Sequence, residues 1–125
     1  MSTTIVIFAS IGILFHTLAF VMESLLFMRP AVYKRFQSQN EEQAKAAQLF
    51  AFNQGFYNLF LAAGCLIGLV LWNQGNAVVG ATLVMFTCAS MLGASLVLIY
   101  TSRKMWRPAL YQGLPPAIVL GMYFL

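Results

Sequence analysis

Long apolar stretches separated by short polar segments set the organisation of the chain. A spanning helix needs about 20 mostly apolar residues, and residues roughly 4–28, 46–72, 77–100 and 108–125 satisfy that need. The last stretch is the shortest, about 27 Å at 1.5 Å per residue. It contains Pro115-Pro116, which removes helix hydrogen bonds and predicts a kink. The connections differ in kind. WNQGN (72–76) reads as a tight turn, and TSRKMWRP (101–108) is short and basic, with Trp106 placed for an interface. The longest, RPAVYKRFQSQNEEQAKA (29–46), breaks at Pro30 and then offers Asn40 as an N-cap with Gln43 three residues later, a capping box. The second helix is therefore expected to begin near Glu41, its first turn projecting into water, with Glu41 and Glu42 at the positive end of the helix dipole. The pattern predicts an all-α, polytopic membrane protein. Residues 1–125 form a single domain, an antiparallel bundle of four transmembrane helices at about 4–28, 41–72, 77–100 and 108–125.

Composition supports the bilayer as solvent. Hydrophobic residues are 61% of the chain and charged residues 8%, against roughly 25% charged in an ordinary soluble domain. The net charge of +4 comes from too few and too segregated basic residues to suggest a nucleic-acid partner. The N-terminal MSTTIVIF lacks a basic n-region, so the first segment is expected to be retained as a span. Cys65 and Cys88 both fall in apolar segments. With no Cys-x-x-Cys and a single histidine, they read as small hydrophobes in helix packing, and no metal site or cofactor is expected.

Charge predicts the orientation. All seven basic residues lie in two places: Arg29, Lys34, Arg35 and Lys45 in the first connection, and Arg103, Lys104 and Arg107 in the third. Cytoplasmic loops collect Lys and Arg. Both termini are therefore expected outside a cell (inner or plasma) membrane, with loops 29–45 and 101–107 cytoplasmic. Small residues at Gly64-x-x-x-Gly68, Gly80, Ala94 and Ser95 permit close helix approach.

In that orientation the polar residues of the spans gather on one side. Glu23 lies six residues before Arg29, about 9 Å inside the boundary. Asn53 and Gln54 enter at nearly that depth, with Tyr57 and Asn58 one turn further in. Gln112, Ser95 and Tyr100 fall in the same layer, and the extracellular half is nearly devoid of polar groups. His16 and Glu23 are seven residues apart and so share a helix face, about 10 Å apart along the axis. Asn53 with Tyr57, and Gln54 with Asn58, are i, i+4 pairs. A lipid-facing acidic side chain at mid-membrane costs about 2.5–3.5 kcal/mol, so these faces are expected to point inward. Asn, Gln, Tyr and Ser in such helices often serve only as interhelical glue, at roughly 0.6 kcal/mol per hydrogen bond. Glue does not need an ionisable group, and that sets Glu23 apart. Desolvation favours its neutral, proton-carrying form.

The segments ESLLFMRP (23–30), NQGFYNLFLAAG (53–64) and QGLPPAIVL (112–120) resemble the pattern of the DUF1304 family of small integral membrane proteins of unknown function. The resemblance spans almost the whole chain. It implies a four-helix membrane fold, and it implies that His16, Glu23, Asn53, Gln54, Tyr57, Asn58 and Gln112 belong to the family's motif set.

The expected function is a polar, Glu-containing pocket in the cytoplasmic half, binding or converting a small amphipathic or lipid-like molecule. The expected ligand set is Glu23, His16, Asn53, Gln54, Tyr57, Asn58, Tyr100 and Gln112, with Glu23 and His16 as the candidates for any acid–base role. Two alternatives stand beside it: a small proton-linked transporter, dimeric because four helices enclose little pathway, and a structural or assembly protein. Confinement of the polar groups to one side argues against a through-pathway. No nucleophile–base pair, phosphate loop or cofactor motif separates an enzyme from a binder, and the partners expected are membrane lipids.

Overall fold

The computed structural model describes all residues, 1–125, and the chain is all-helical, without strands. Helix α1 (Thr3–Phe20) runs on into a π-helical turn, Val21–Leu25; α2 is Pro30–Tyr33, α3 Glu41–Asn73 and α4 Ala77–Thr101; a 3₁₀ turn, Arg103–Met105, leads to α5, Trp106–Phe124.

Local chemistry accounts for the boundaries. The first helix stops at Leu25 rather than at 28, because the amide of Leu26 donates back to the Val21 carbonyl (3.0 Å), five residues away. Arg29, held extended by the proline after it (φ −72°, ψ 131°), then turns the chain into α2. At the start of α3, Asn40 Oδ1 accepts from the Gln43 amide at 2.9 Å, and Gln43 Oε1 accepts from the Gln39 amide at 2.8 Å. This is a capping box whose return bond lands one residue earlier than the usual pattern. An exposed Lys45–Glu41 ion pair (3.1 Å) flanks it. Between α3 and α4 the chain reverses at Gly75, whose φ of +94° is open to glycine at no steric cost, and the Asn76 amide returns to the Leu71 carbonyl at 3.0 Å.

Three helical segments are long and apolar enough to cross a membrane: Thr3–Leu25, Glu41–Asn73 and Ala77–Thr101, each containing an 18-residue stretch whose mean hydropathy is 2.4, 1.8 and 2.1 in turn. Helix α5 is not among them, since Arg107, Gln112 and two prolines dilute its 19 residues. It nevertheless continues as one helix through Pro115 and Pro116, both buried.

The chain divides into two compact units, residues 1–15 with 61–125, and residues 16–60. In the first, one apolar core takes Ile5 and Ala9 from α1, Cys65 and Leu69 from α3, Val84, Met85, Cys88 and Met91 from α4, and Val119 from α5. Helices α3 and α4 meet backbone to backbone at Gly68 and Gly80: a Cβ on Gly80 would overlap the main chain of Trp72 and come within 2.7 Å of the Gly68 carbonyl oxygen. Helices α4 and α5 are tied by the Ser95 hydroxyl, which donates to the Ala109 carbonyl at 2.6 Å. In the second unit Phe27, Tyr33 and Ala44 form a small core flanked by Met28, Phe36, Ala47 and Ala51. The basic connection is thus anchored: Tyr33 is buried, and its carbonyl accepts from the Ser38 amide at 3.1 Å.

Candidate functional site

The inward stripe of α3 positions the polar cluster. Ala44, Ala51, Gly55, Asn58, Ala62, Cys65 and Leu69 are buried or half-buried at alternating steps of three and four, after an initial seven. That spacing places them on one face. Six of the seven are small or apolar, and Asn58 is the exception. Burying an amide in apolar surroundings costs a few kcal/mol unless its polar atoms are paired.

Asn58 is paired at both ends. Its Oδ1 lies 2.6 Å from Nδ1 of His16, and its Nδ2 donates to Glu23 Oε2 at 2.8 Å and to the Gln54 carbonyl at 3.1 Å. The two residues of the HTLAFVME segment are therefore joined through one amide. The carbonyl of Gln54 can only accept, so it fixes which end of the amide is nitrogen. Oδ1 must then receive a proton from the histidine. In the neutral imidazole the proton sits on Nδ1, and Nε2 carries the lone pair. His16 is fully enclosed, at 0% exposure, and Glu23 is half-buried.

The backbone around Glu23 contributes to its placement. Glu23 sits at the middle of the π-helical turn, an irregularity often found at functional positions. The adjacent Ser24 crosses α3 closely: its hydroxyl donates to the Phe52 carbonyl at 2.8 Å, and a Cβ on Gly55 would collide with that hydroxyl. Phe20 packs edge-on against Phe56 with ring centroids 5.1 Å apart, and Phe52 and Phe60 extend the aromatic row along α3.

Of the residues singled out from the sequence, His16, Glu23 and Asn58 are brought together. Gln54 contributes its main-chain carbonyl while its side chain is exposed. Asn53 is exposed, and its amide turns back to the Leu49 carbonyl of its own helix at 3.2 Å. Tyr57, 65% exposed, also points away from the buried stripe. In the other unit Tyr100 is 88% exposed and Gln112 is half-buried. Depth grouped these residues, but depth carries no information about the angle around a helix. The stripe through Gly55 and Asn58 is the signal that separates Asn58 from its polar neighbours. The same signal marks Gly55 and Ser24, which the polar pattern alone overlooks. No three His, Cys, Asp or Glu side chains converge on a common point.

No curated protein and no solved structure matches this chain. A family model described as "protein of unknown function (DUF1304)" matches residues 10–124, a range that contains His16, Glu23 and Asn58 as well as the NQGFYNLFLAAG and QGLPPAIVL segments, and the chain belongs to that family.

Proposed function

We propose that this is an integral membrane protein whose Glu23 carboxyl group binds the polar end of a small amphipathic or lipid-like molecule, with Asn58 and His16 aiming it. One observation carries the reading: a half-buried carboxyl group, on a π-helical turn, held through a single amide to a fully buried histidine. A purely structural clamp between two helices needs only the amide; the carboxyl group adds an ionisable atom pair at membrane depth, where it is expensive to keep. The exposed Phe52 and Phe60 and the half-buried Phe56 beside it offer apolar surface for the rest of such a molecule. Proton-linked transport is the weaker reading, because an amide passes a proton only by becoming an imidic acid, so Asn58 interrupts a relay between Glu23 and His16.

The membrane frame belongs to the same proposal. The three long apolar helices cross the bilayer, α5 completes a four-helix bundle as a short fourth span, and both termini lie outside with the basic segments 29–45 and 101–107 in the cytoplasm of a cell membrane. Ser2→Cys should be labelled by an impermeant thiol reagent on intact cells and Gln39→Cys should not; both positions are exposed. The opposite labelling would overturn the orientation. For the site, the purified chain is equilibrated with total lipid extract and analysed by native mass spectrometry. A defined adduct on the parent that is lost in Glu23→Gln, with folding retained, supports the reading. Equal adducts on parent and variant refute it.

A further inference from the structure

The corner between α4 and α5 holds a second place with ligand-binding character. Helix α4 ends when Ser102 turns extended (φ −146°, ψ 93°), and the 3₁₀ turn that follows carries Arg103 and Lys104 before α5 opens at Trp106. Leu96, Ile99, Tyr100, Arg103 and Trp106 line an open cleft of about 590 Å³ there. Leu96 and Ile99 supply an apolar floor and remain 59% and 42% exposed. The guanidinium of Arg107 lies over the Trp106 ring, 5.2 Å from its centroid, so a second cation is held against a residue that lines the cleft. The chain's three acidic side chains are Glu23, Glu41 and Glu42, and none occurs from 43 to 125. Within their own unit Arg103, Lys104 and Arg107 therefore have no acidic side chain to neutralise them.

An apolar floor, two amphipathic rings, one lining arginine and a second arginine stacked on Trp106 match an amphiphile with a negative head. We infer that this cleft binds an anionic phospholipid, with its phosphate headgroup on Arg103 and Arg107 and the upper part of an acyl chain along Leu96 and Ile99. Guanidinium groups suit phosphate because their planar donors engage two oxygens at once. Tyr and Trp belong at the level of the headgroups. The inference rests on the membrane reading above but not on Glu23.

The test uses the full chain reconstituted in nanodiscs containing equal phosphatidylglycerol and phosphatidylcholine, released into the gas phase for native mass spectrometry. The parent should retain phosphatidylglycerol in preference to phosphatidylcholine, and each of Arg103→Gln and Arg107→Gln should weaken that preference about fivefold, the usual contribution of one basic side chain at an anionic surface. Lys34→Gln/Arg35→Gln, which removes two exposed cations elsewhere, should leave it unchanged. Folding of each variant is checked by the protection of the buried thiols Cys65 and Cys88. Equal retention of the two lipids by the parent, or an unaltered preference in both arginine variants, would overturn the inference while leaving the membrane reading in place. Displacement of the bound lipid by millimolar inorganic phosphate would also overturn it, since the site would then recognise free phosphate. Failure of the parent to remain in the bilayer would remove both.

Discussion

The contact between α3 and α4 at Gly80 allows the most direct test of the packing. In Gly80→Ala the added methyl group overlaps the amide nitrogen of Trp72, lies 2.6 Å from the Trp72 Cα and 2.7 Å from the Gly68 carbonyl oxygen. All three are main-chain atoms of a neighbouring helix. No rotamer change relieves the clash, and the helices must separate. Overpacking of this kind costs typically 1–3 kcal/mol, and obstruction by backbone places it at the upper end. Alanine recovers about 1 kcal/mol of helix propensity over glycine, so the net loss is about 2 kcal/mol. Gly93, on the same helix, has nothing within 4 Å of its would-be Cβ, and Gly93→Ala should be neutral or stabilising by up to about 1 kcal/mol. The reporters are built in: Cys65 and Cys88 are free, at 0% and 1% exposure, and belong to the same core. Where opening is fast relative to labelling, the modification rate tracks the population of the open form. A loss of about 2 kcal/mol multiplies that population roughly 30-fold. Maleimide modification in mild detergent should therefore be about 30 times faster in Gly80→Ala than in the parent and no faster in Gly93→Ala. Equal rates for Gly80→Ala and the parent would show that the two helices do not meet as described.

The remaining predictions concern residues 16–60. Gly55→Ala should destabilise by about 1–2 kcal/mol, because its methyl group displaces the Ser24 hydroxyl and lies 3.0 Å from the Ser24 Cβ; thermal unfolding followed by circular dichroism measures the loss, and an unchanged midpoint refutes the contact. Nitrogen-15 NMR of the single histidine should show the proton on Nδ1 in the parent, and Asn58→Leu, which removes the Oδ1 acceptor, should abolish that preference; a parent histidine protonated on Nε2 would refute the amide orientation. Asn58→Leu should also cost about 1–3 kcal/mol through the buried imidazole N–H it strands, whereas Asn53→Leu and Tyr57→Phe, at exposed positions, should stay within about 0.5 kcal/mol of the parent; equal losses at all three positions would show that the buried stripe does not control the site.

Much of this protein could be read one residue at a time. The long apolar runs gave the four long helices, since a backbone enclosed by apolar side chains must satisfy its own hydrogen bonds. Asn40 and Gln43 gave the start of α3, and Gly75 gave the reversal that follows it. These features depend on neighbours within a few positions, so local chemistry is sufficient. That His16 and Glu23 turn toward one neighbour, Asn58, was legible for the same reason: seven residues on one helix return to one face.

What sequence alone left open depends on rotation and contact between helices. The depth expected from the sequence grouped Asn53, Gln54, Tyr57 and Asn58, but packing chose Asn58, because Gly55 on its face admits the close crossing of Ser24. The π-helical turn at Val21–Leu25 also belongs to the tertiary structure. Nothing in VMESL demands an extra residue in the turn, but there Ser24 reaches the Phe52 carbonyl and Glu23 reaches Asn58. Sequence by itself determined the helices, their order and the polar residues available, because hydrophobic period and capping are local. Which polar residues meet was decided only in three dimensions, where close approach at glycines such as Gly55 sets which side chains face a neighbour.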